Sequence, residues 1–210
     1  MGFKVVCISA TDGALGDEIG PRVAEGLGYR LVNEQIVARA AEEADVDTRV
    51  MADVEVRKSI AARVLQEFSG PAIAGVTYGF SPTMPADSAV PEDAMRGLIR
   101  SVIEDVARRG DAVIVSHAAS HALAAHPEAL RVLITAGPDT RRDRLQAARE
   151  LSKRDAQKLV SRSDANRADY IKRFYQVSEE LPTHYDIVLN SDRLSIDQAV
   201  EVVVQAASPA

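Results

Sequence analysis

The fold is decided by residues 3–18, which read FKVVCISATDGALGDE. Residues 3–8 form a short apolar run rich in β-branched side chains, which predicts a buried strand. Two glycines interrupt residues 9–16, which read as a loop, and a helix is predicted from residue 17 to residue 27. Open parallel sheets bind ligands at the carboxyl ends of their strands, and free N–H groups at a helix N-terminus attract phosphate. This strand, loop and helix therefore form the first candidate site.

The loop differs from a complete phosphate-binding loop. Such a loop reads GxxxxGK[ST], but neither Lys nor Ser or Thr follows Gly16 in this chain. Asp17 and Glu18 instead place negative charge where phosphate would lie. Because acidic residues also favour helix N-termini, the loop taken alone favours an ordinary capped strand–helix turn over a phosphate site.

The remaining sequence alternates short apolar runs with longer amphipathic segments. Further strands are predicted at residues 29–32, 112–115, 130–135 and 186–190, and further helices at 34–43, 92–109, 138–150, 152–175 and 195–207. A break near Ser163 is left open. The alternation predicts an α/β protein with a parallel sheet and helices on both of its faces. Residues 69–91 are rich in proline and glycine and predict a long, flexible, exposed insert.

Composition and charge limit the classes of ligand. The chain has 210 residues and is 46% hydrophobic, which suits one domain with a sizeable core. Its formal net charge of -6 argues against binding to duplex nucleic acid. Residues 131–173 nevertheless hold nine Arg and three Lys against six acidic residues, a balance of +6, which leaves -12 for the rest. A basic segment inside an acidic protein predicts a small anionic ligand.

Cysteine and histidine content predicts no metal site. Cys7 is the only cysteine, so neither an intramolecular disulfide nor a cysteine-based zinc site can form. His117 and His121 are four residues apart but lack the HExxH arrangement. No run approaches the ~18 apolar residues of a membrane-spanning helix, and the first eight residues lack a secretory signal pattern. We therefore expect a cytoplasmic protein that makes no contact with a membrane.

A group of arginines forms the second candidate site. Arg141, Arg144 and Arg149 are spaced for roughly one face of a helix, and Asp164 and Arg167 follow in the next helix. Phosphoryl transfer needs several cations, because negative charge spreads over the oxygens of the moving group, and the planar guanidinium suits this role. The alternative, which the spacing alone favours, is a solvated pair of helices with ion pairs one turn apart.

The order of these motifs resembles that of the cytidylate kinase-like family, a branch of the P-loop nucleoside monophosphate kinases. The resemblance covers roughly residues 3–65 and 92–207 and leaves the insert at 69–91 outside. Its most specific parts are Asp164-x-x-Arg167 and the closing segment YDIVLNSDRLS at residues 185–195, supported by DAVIV at 111–115 and LRVLITA at 130–136.

The resemblance implies a fold and an activity. The fold is a three-layer P-loop kinase-type domain spanning residues 1–210. Its five-stranded parallel sheet has the order 2-3-1-4-5, with helices on both faces and a helical lid at residues 139–175. The implied cofactors are ATP and Mg2+, and the implied phosphoryl acceptor is CMP, dCMP or a related small molecule. The expected partners are small-molecule nucleotides, and the protein is expected to be a monomer or a homodimer.

The resemblance also implies roles for individual residues. Around the donor phosphates it places Gly13, Ala14, Leu15, Gly16, Asp17 and Glu18. The implied catalytic cations are Arg141, Arg144 and Arg167, of which the first two belong to the lid. On the acceptor side it places Asn33, Glu34, His117, Asp164 and Arg167.

Two cations of the family pattern are absent. The P-loop lysine has no counterpart, Asp17 stands where the kinase-like branch carries an arginine, and Ser116-His117-Ala118 replaces Gly-Arg-Gly. Loss of a positioned cation typically lowers the rate of phosphoryl transfer by orders of magnitude. Two hypotheses therefore stay open: an active kinase, and a pseudokinase that serves as a nucleotide-binding or interaction module.

Overall fold

The computed structural model of the chain describes residues 2–33, 92–116 and 119–209. The helix predicted at 34–43 and the insert predicted at 69–91 lie outside these residues. Within the described ranges, no helix combines the length and the apolar character needed to cross a lipid bilayer.

Five parallel strands form one sheet in the order β2-β3-β1-β4-β5. The strands are β1 (Val5–Ala10), β2 (Arg30–Asn33), β3 (Ala112–Val115), β4 (Ala129–Thr135) and β5 (Ile187–Asn190). The predicted sheet order is confirmed. Each predicted strand is present, and the observed ends differ from the predicted ones by at most about two residues, as is usual for element boundaries.

Helices connect the strands and cover the sheet. In the described ranges they are α1 (Gly16–Leu27), α2 (Glu92–Arg109), α3 (Ala119–Ala122), α4 (Pro138–Arg149), α5 (Lys153–Tyr175) and α6 (Ile196–Ala207), with a short 3-10 helix at Pro182–His184. Helix α5 is continuous, so the break considered near Ser163 does not occur. Ser152 caps α5 by accepting from the N–H of Asp155 at 3.1 Å, and Ser195 caps α6 by accepting from the N–H of Gln198 at 3.2 Å.

The central strand is buried on both faces. On one face, α1 and α6 share an apolar cluster with Val6 and Ile8 of β1. On the other face, α2 and α3 share a cluster with Val5 and Cys7. Burial raises the pKa of the Cys7 thiol to about 12, so at neutral pH this residue is an uncharged, apolar part of the core.

Two contacts of carboxylates anchor the edge strand β5 and the start of α4. The Asp186 carboxylate accepts from the Arg131 guanidinium at 2.7 and 3.0 Å and from the Arg131 backbone N–H at 2.8 Å. The N–H of Gly137, which precedes α4, lies 3.0 Å from both carboxylate oxygens of Asp192. The contact of Asp192 with Gly137 holds the start of α4 at the carboxyl edge of the sheet.

Gly20 allows α1 to pack closely on the sheet, and its substitution tests that packing. A Cβ at Gly20 would lie 2.4 Å from Cγ2 of Val115 in β3. We expect Gly20→Ala to lower the free energy of unfolding by about 1–3 kcal/mol in urea denaturation, because the helix or Val115 must move. Gly97→Ala in α2 is the matched control: no atom of the described residues lies within 4 Å of an added Cβ, so alanine should raise the free energy of unfolding by up to about 1 kcal/mol. Equal effects of the two substitutions would contradict the close packing.

The pair between Arg131 and Asp186 makes a pH-dependent contribution to stability. The hydrogen bond from Arg131 holds the pKa of the Asp186 carboxyl below its usual range. The contribution is therefore present above the unfolded-state pKa of about 3.9 and is lost as the pH falls through the lower folded-state pKa. At neutral pH we expect Asp186→Asn to lower the free energy of unfolding by about 0.5–1 kcal/mol, since the pair is partly exposed. The difference from wild type should shrink in strong acid, and a pH-independent difference would argue against the ion pair.

Candidate functional site

The turn between β1 and α1 holds two residues in the left-handed region. Gly13 has a φ of 78°, and Leu15, immediately before α1, has a φ of 71°. A left-handed leucine costs about 1–2 kcal/mol, and no side chain at this position caps the helix. Gly13 is also constrained by space, because an added Cβ would lie 2.8 Å from the carbonyl oxygen of Arg141. Contact with α4, and not a local side-chain cap, therefore shapes the turn.

Arg141 of α4 binds the turn and also α5. Arg141 is 4% exposed, and its Nε–H donates to the carbonyl oxygen of Asp12 at 2.7 Å. Its two terminal nitrogens donate to the two oxygens of the Asp164 carboxylate at 2.6 and 3.1 Å. This bidentate geometry is the strong form of an arginine–carboxylate pair, and it joins α4, α5 and the turn.

Arg144, also on α4, binds the next carbonyl group of the turn. Its guanidinium donates to the carbonyl oxygen of Gly13 at 3.1 Å and to the hydroxyl and carbonyl oxygens of Ser191 at 3.0 and 2.7 Å. The Ser191 hydroxyl lies 2.9 Å from the carbonyl oxygen of Ala14, to which it can donate. Ser191 follows β5 directly, so Arg144 connects the turn to the carboxyl edge of the sheet.

Arg167 of α5 is the third arginine at the turn. It is 8% exposed, donates to the carbonyl oxygen of Ala10 at 3.3 Å, and forms a bidentate pair with Glu180 at 2.6 and 2.7 Å. Burial alone lowers the pKa of Arg167, but the bond and charge of Glu180 outweigh burial and raise it. Arg167 is therefore a charged, buried group whose main partner is a carboxylate.

The three arginines share one arrangement: each donates to a carbonyl oxygen within residues 10–13 and to a polar group of another element. The alternative of solvated helices with ion pairs one turn apart does not describe them, because their partners lie in other elements and their side chains are largely shielded. Arg149, the remaining arginine of the predicted face, borders an opening at the start of α1 together with Asp17.

Two openings flank the turn. The first, here called the loop cleft, has a volume of about 60 Å³ and is lined by residues that include Thr11, Gly13, Gly16, Asp17, Ser116 and Arg149. The second, here called the arginine cavity, has a volume of about 330 Å³ and is lined by residues that include Thr11, Arg141, Asp164, Arg167, Ile171 and Glu180. Thr11 borders both openings, and its buried hydroxyl makes no hydrogen bond within the described part of the chain.

The loop cleft fits phosphate groups that arrive with a cation. The N-terminus of α1 attracts phosphate, but Asp17 and Glu18 are exposed in its first turn and repel a bare polyphosphate. Mg2+ usually binds to one or two carboxylates together with substrate phosphates. Among the described residues, no group of three or more side chains could hold a metal ion alone. The carboxylates of Asp17 and Glu18 therefore fit a magnesium ion that arrives together with phosphate groups.

The predicted site residues fall into three groups. Residues 13–18 form the turn and the start of α1, and Arg141, Arg144, Asp164 and Arg167 contact that turn or border the arginine cavity. Asn33 is the last residue of β2 and lies at the same edge of the sheet, where β3 separates β2 from β1. Glu34 and His117 lie outside the described residues.

Comparison with known proteins identifies the family. The family model described as cytidylate kinase-like matches residues 5–193, which include the turn and all three arginines. The chain belongs to the cytidylate kinase-like family. No match was found among curated proteins.

A solved structure shares the fold of this cytidylate kinase-like protein. An uncharacterized protein from Eubacterium ventriosum ATCC 27560 has a TM-score of 0.67 at 14% identity, with 96% of each chain covered. A shikimate kinase from Bacteroides thetaiotaomicron has a TM-score of 0.49 at 14% identity, again with 96% of each chain covered. The first likeness supports the fold alone. Together with the family match and the sheet order, it establishes the expected P-loop kinase-type architecture.

Several polar residues around Arg167 are not among the site residues that the sequence predicts. Glu180 pairs with Arg167, the Tyr185 hydroxyl donates to Glu180, and His121 Nε2 lies 3.8 Å from Glu180 Oε1. Burial alone raises the pKa of the Glu180 carboxyl, but the hydrogen bonds and the charge of Arg167 outweigh burial and hold that pKa well below its usual range. No local signal marks Glu180, since it is one of two adjacent acidic residues and its partner lies 13 residues earlier.

Substitution of two neighbouring arginines tests whether the buried contacts hold the turn. We expect Arg141→Lys to lower the free energy of unfolding by about 2 kcal/mol, because an ammonium cannot reproduce the bidentate pair and the bond to Asp12 together. Arg142→Lys is the matched control, because Arg142 pairs with Asp139 and Asp143 of its own helix. Both carboxylates are exposed and screened by solvent, and such pairs contribute little, so the control should change stability by less than about 0.5 kcal/mol. Chemical denaturation measures both, and a larger loss for Arg142→Lys would contradict this role of Arg141.

Proposed function

We propose that this cytidylate kinase-like protein transfers the γ-phosphoryl group of ATP to CMP, dCMP or a related small acceptor. The observation that carries the proposal is the convergence of Arg141, Arg144 and Arg167 on one turn. Family membership supports a kinase-like class of function. The arginines add positive charge at the carboxyl edge of the sheet, which is where α/β folds bind their ligands.

On the donor side, residues 13–18 and the N-terminus of α1 bind the phosphates of ATP. Mg2+ bound with the nucleotide supplies charge neutralisation that offsets Asp17 and Glu18. Arg149 borders the loop cleft and provides a cation on the side where the P-loop lysine is absent. The phosphates then lie between the helix N-terminus and a guanidinium group.

On the acceptor side, the arginine cavity binds the nucleoside monophosphate. Arg167 binds the acceptor phosphate, Asp164 binds the sugar, and Asn33, with Glu34 and His117, completes the pocket. The cavity volume of about 330 Å³ is within the range of small-molecule sites, roughly 300–1,000 Å³. Thr11 borders both openings and so lies between the proposed donor and acceptor sites.

Transfer in this arrangement needs no covalent intermediate. The moving phosphoryl group passes through a loose transition state whose charge spreads over its oxygens, so catalysis consists of positioning and electrostatic stabilisation. Arg141 and Arg144 hold the turn in place and add positive charge beside it. In this proposal, residues 1–210 form one cytoplasmic domain, residues 139–175 act as its lid, and the protein is a monomer or a homodimer.

A second candidate function is nucleotide binding without phosphoryl transfer. One observation favours it: Asp164 and Glu180 already neutralise two of the three arginines, while Asp17 and Glu18 occupy the start of α1. A pseudokinase with this arrangement keeps the nucleotide pocket and lacks the free positive charge that a transition state requires.

A coupled assay of ADP release with CMP, dCMP, UMP and AMP tests the kinase proposal. We expect turnover with at least one pyrimidine nucleotide, and we expect Arg167→Ala to lower kcat/KM by at least about 100-fold through loss of a bidentate phosphate contact. Arg173→Ala is the matched control: this arginine is in the last turn of the same helix, and its pair with Asp169 is exposed. It should keep wild-type turnover. No turnover with any acceptor at high enzyme concentration would remove the kinase proposal.

Calorimetry separates the two candidate functions. Tight binding of CMP without binding of ATP supports the pseudokinase. Binding of both nucleotides together with turnover excludes it.

A further inference from the structure

Arg167 and Glu180 form a bidentate pair at the wall of the arginine cavity. Nε and Nη2 of Arg167 lie 2.7 and 2.6 Å from the two carboxylate oxygens, and the side chains are 6% and 21% exposed. A phosphate group binds to a guanidinium through the same two parallel hydrogen bonds. The Glu180 carboxylate therefore stands where the oxygens of a phosphomonoester would bind.

Of the two partners, Glu180 is the more easily displaced. Arg167 lies on α5 and is also bonded to the carbonyl oxygen of Ala10. Glu180 lies in residues 176–181, which join α5 to the 3-10 helix at Pro182–His184 without regular secondary structure. No helical or strand hydrogen bonds must break for Glu180 to move.

His121 offers Glu180 a second partner. Its side chain is 7% exposed, and its Nε2 lies 3.8 Å from Glu180 Oε1, too far for a good hydrogen bond. Within the described residues this buried nitrogen has no hydrogen-bond partner, which is costly and calls for an explanation. A rotation of the Glu180 side chain away from Arg167 would close this gap and let His121 donate to the carboxylate. The Tyr185 hydroxyl, which already donates to Glu180, can follow it.

We propose that Glu180 is a positioning residue of the acceptor site: its carboxylate occupies the phosphate position on Arg167 and moves toward His121 when a phosphorylated acceptor binds. This inference rests on the proposed function, in which Arg167 binds the acceptor phosphate. Glu180 acts through Arg167 and makes no contact with the acceptor.

The exchange of carboxylate for phosphate confers selectivity. A phosphomonoester brings close to two negative charges and three acceptor oxygens, so it competes with a single carboxylate for the guanidinium. A neutral alcohol of similar size cannot replace the carboxylate, because Arg167 would be left buried without a counter-charge. Glu180 therefore favours acceptors that already carry a phosphate group, because a ligand without one cannot displace the carboxylate from Arg167.

Calorimetric titration of CMP into the full chain tests the proposal. Glu180→Gln keeps the size of the side chain and removes the competing charge, so CMP should bind on the order of tenfold tighter than to wild type. Glu179→Gln is the matched control: Glu179 is the preceding residue, borders the same cavity and is exposed. It removes the same charge without touching the bidentate pair and should change the affinity by less than about threefold.

Thermal unfolding with inorganic phosphate gives a second readout that needs no nucleotide. Glu180→Gln leaves Arg167 buried without its carboxylate and should lower Tm. Phosphate in the vacated position should then raise Tm more in Glu180→Gln than in wild type or Glu179→Gln. A purely structural role of Glu180 would lower Tm without this recovery and without a gain in CMP affinity. If Glu180→Gln does not fold, Glu180→Asp, whose shorter side chain weakens the pair, serves for the same comparisons with a smaller expected gain.

The outcomes separate this inference from the proposed function. If wild type binds CMP, and Glu180→Gln binds it no tighter and gains no extra Tm from phosphate, the role of Glu180 is overturned while the acceptor assignment stands. If no variant binds CMP, the proposed acceptor fails. In that case the Tm measurements with phosphate decide whether Glu180 occupies an anion position. If phosphate raises Tm no more in Glu180→Gln than in wild type, the role of Glu180 is overturned as well.

Discussion

The binding of arginine side chains to the carbonyl groups of residues 10–13 is the interaction on which the rest of the structure depends. The three arginines lie 129 to 157 residues further along the chain from the carbonyl groups that they bind. The turn leaves the carbonyl groups of Asp12 and Gly13 without ladder partners, and a buried guanidinium needs acceptors for its five N–H groups. The carbonyl groups provide acceptors for the guanidinium groups, and the guanidinium groups provide donors for the carbonyl groups. The left-handed backbone at Leu15, which would be unfavourable alone, persists because these contacts hold the turn against α4.

The same contacts set the local charge and hence the chemistry that the site can support. Arg141 and Arg167 are each bonded to a carboxylate, whereas the hydrogen bonds of Arg144 go to carbonyl and hydroxyl oxygens. With Asp17 and Glu18 at the start of α1, the charges around the turn nearly cancel. Under the proposed function, an incoming phosphate must therefore bring its own cation or displace a carboxylate. In that proposal, the cation that comes with the nucleotide takes the place of the missing lysine of the phosphate-binding loop.

Much of the fold could be predicted because its signals are local. Buried parallel strands such as β1 and β3 are continuous apolar runs, and Ser152 and Ser195 mark helix starts through their capping positions. Helix α3 was missed because four residues show no periodicity. Spacing alone favours solvated helices for these arginines, and only the family resemblance groups Arg141, Arg144 and Arg167. Their partners come from other parts of the chain. The pairing of Arg167 with Glu180 depends on how α5 and residues 176–181 pack, and no local pattern carries that information.

The most direct test of the central claim is a crystal structure of the full chain with CMP and a magnesium complex of a non-hydrolysable ATP analogue. We predict that the CMP phosphate lies within hydrogen-bond distance of Arg167, that the analogue's phosphates lie at the start of α1, and that the turn at residues 11–15 separates the two. A structure in which both nucleotides bind elsewhere, with Arg167 still paired to Glu180, would contradict the claim that this turn and its arginines enclose a nucleotide.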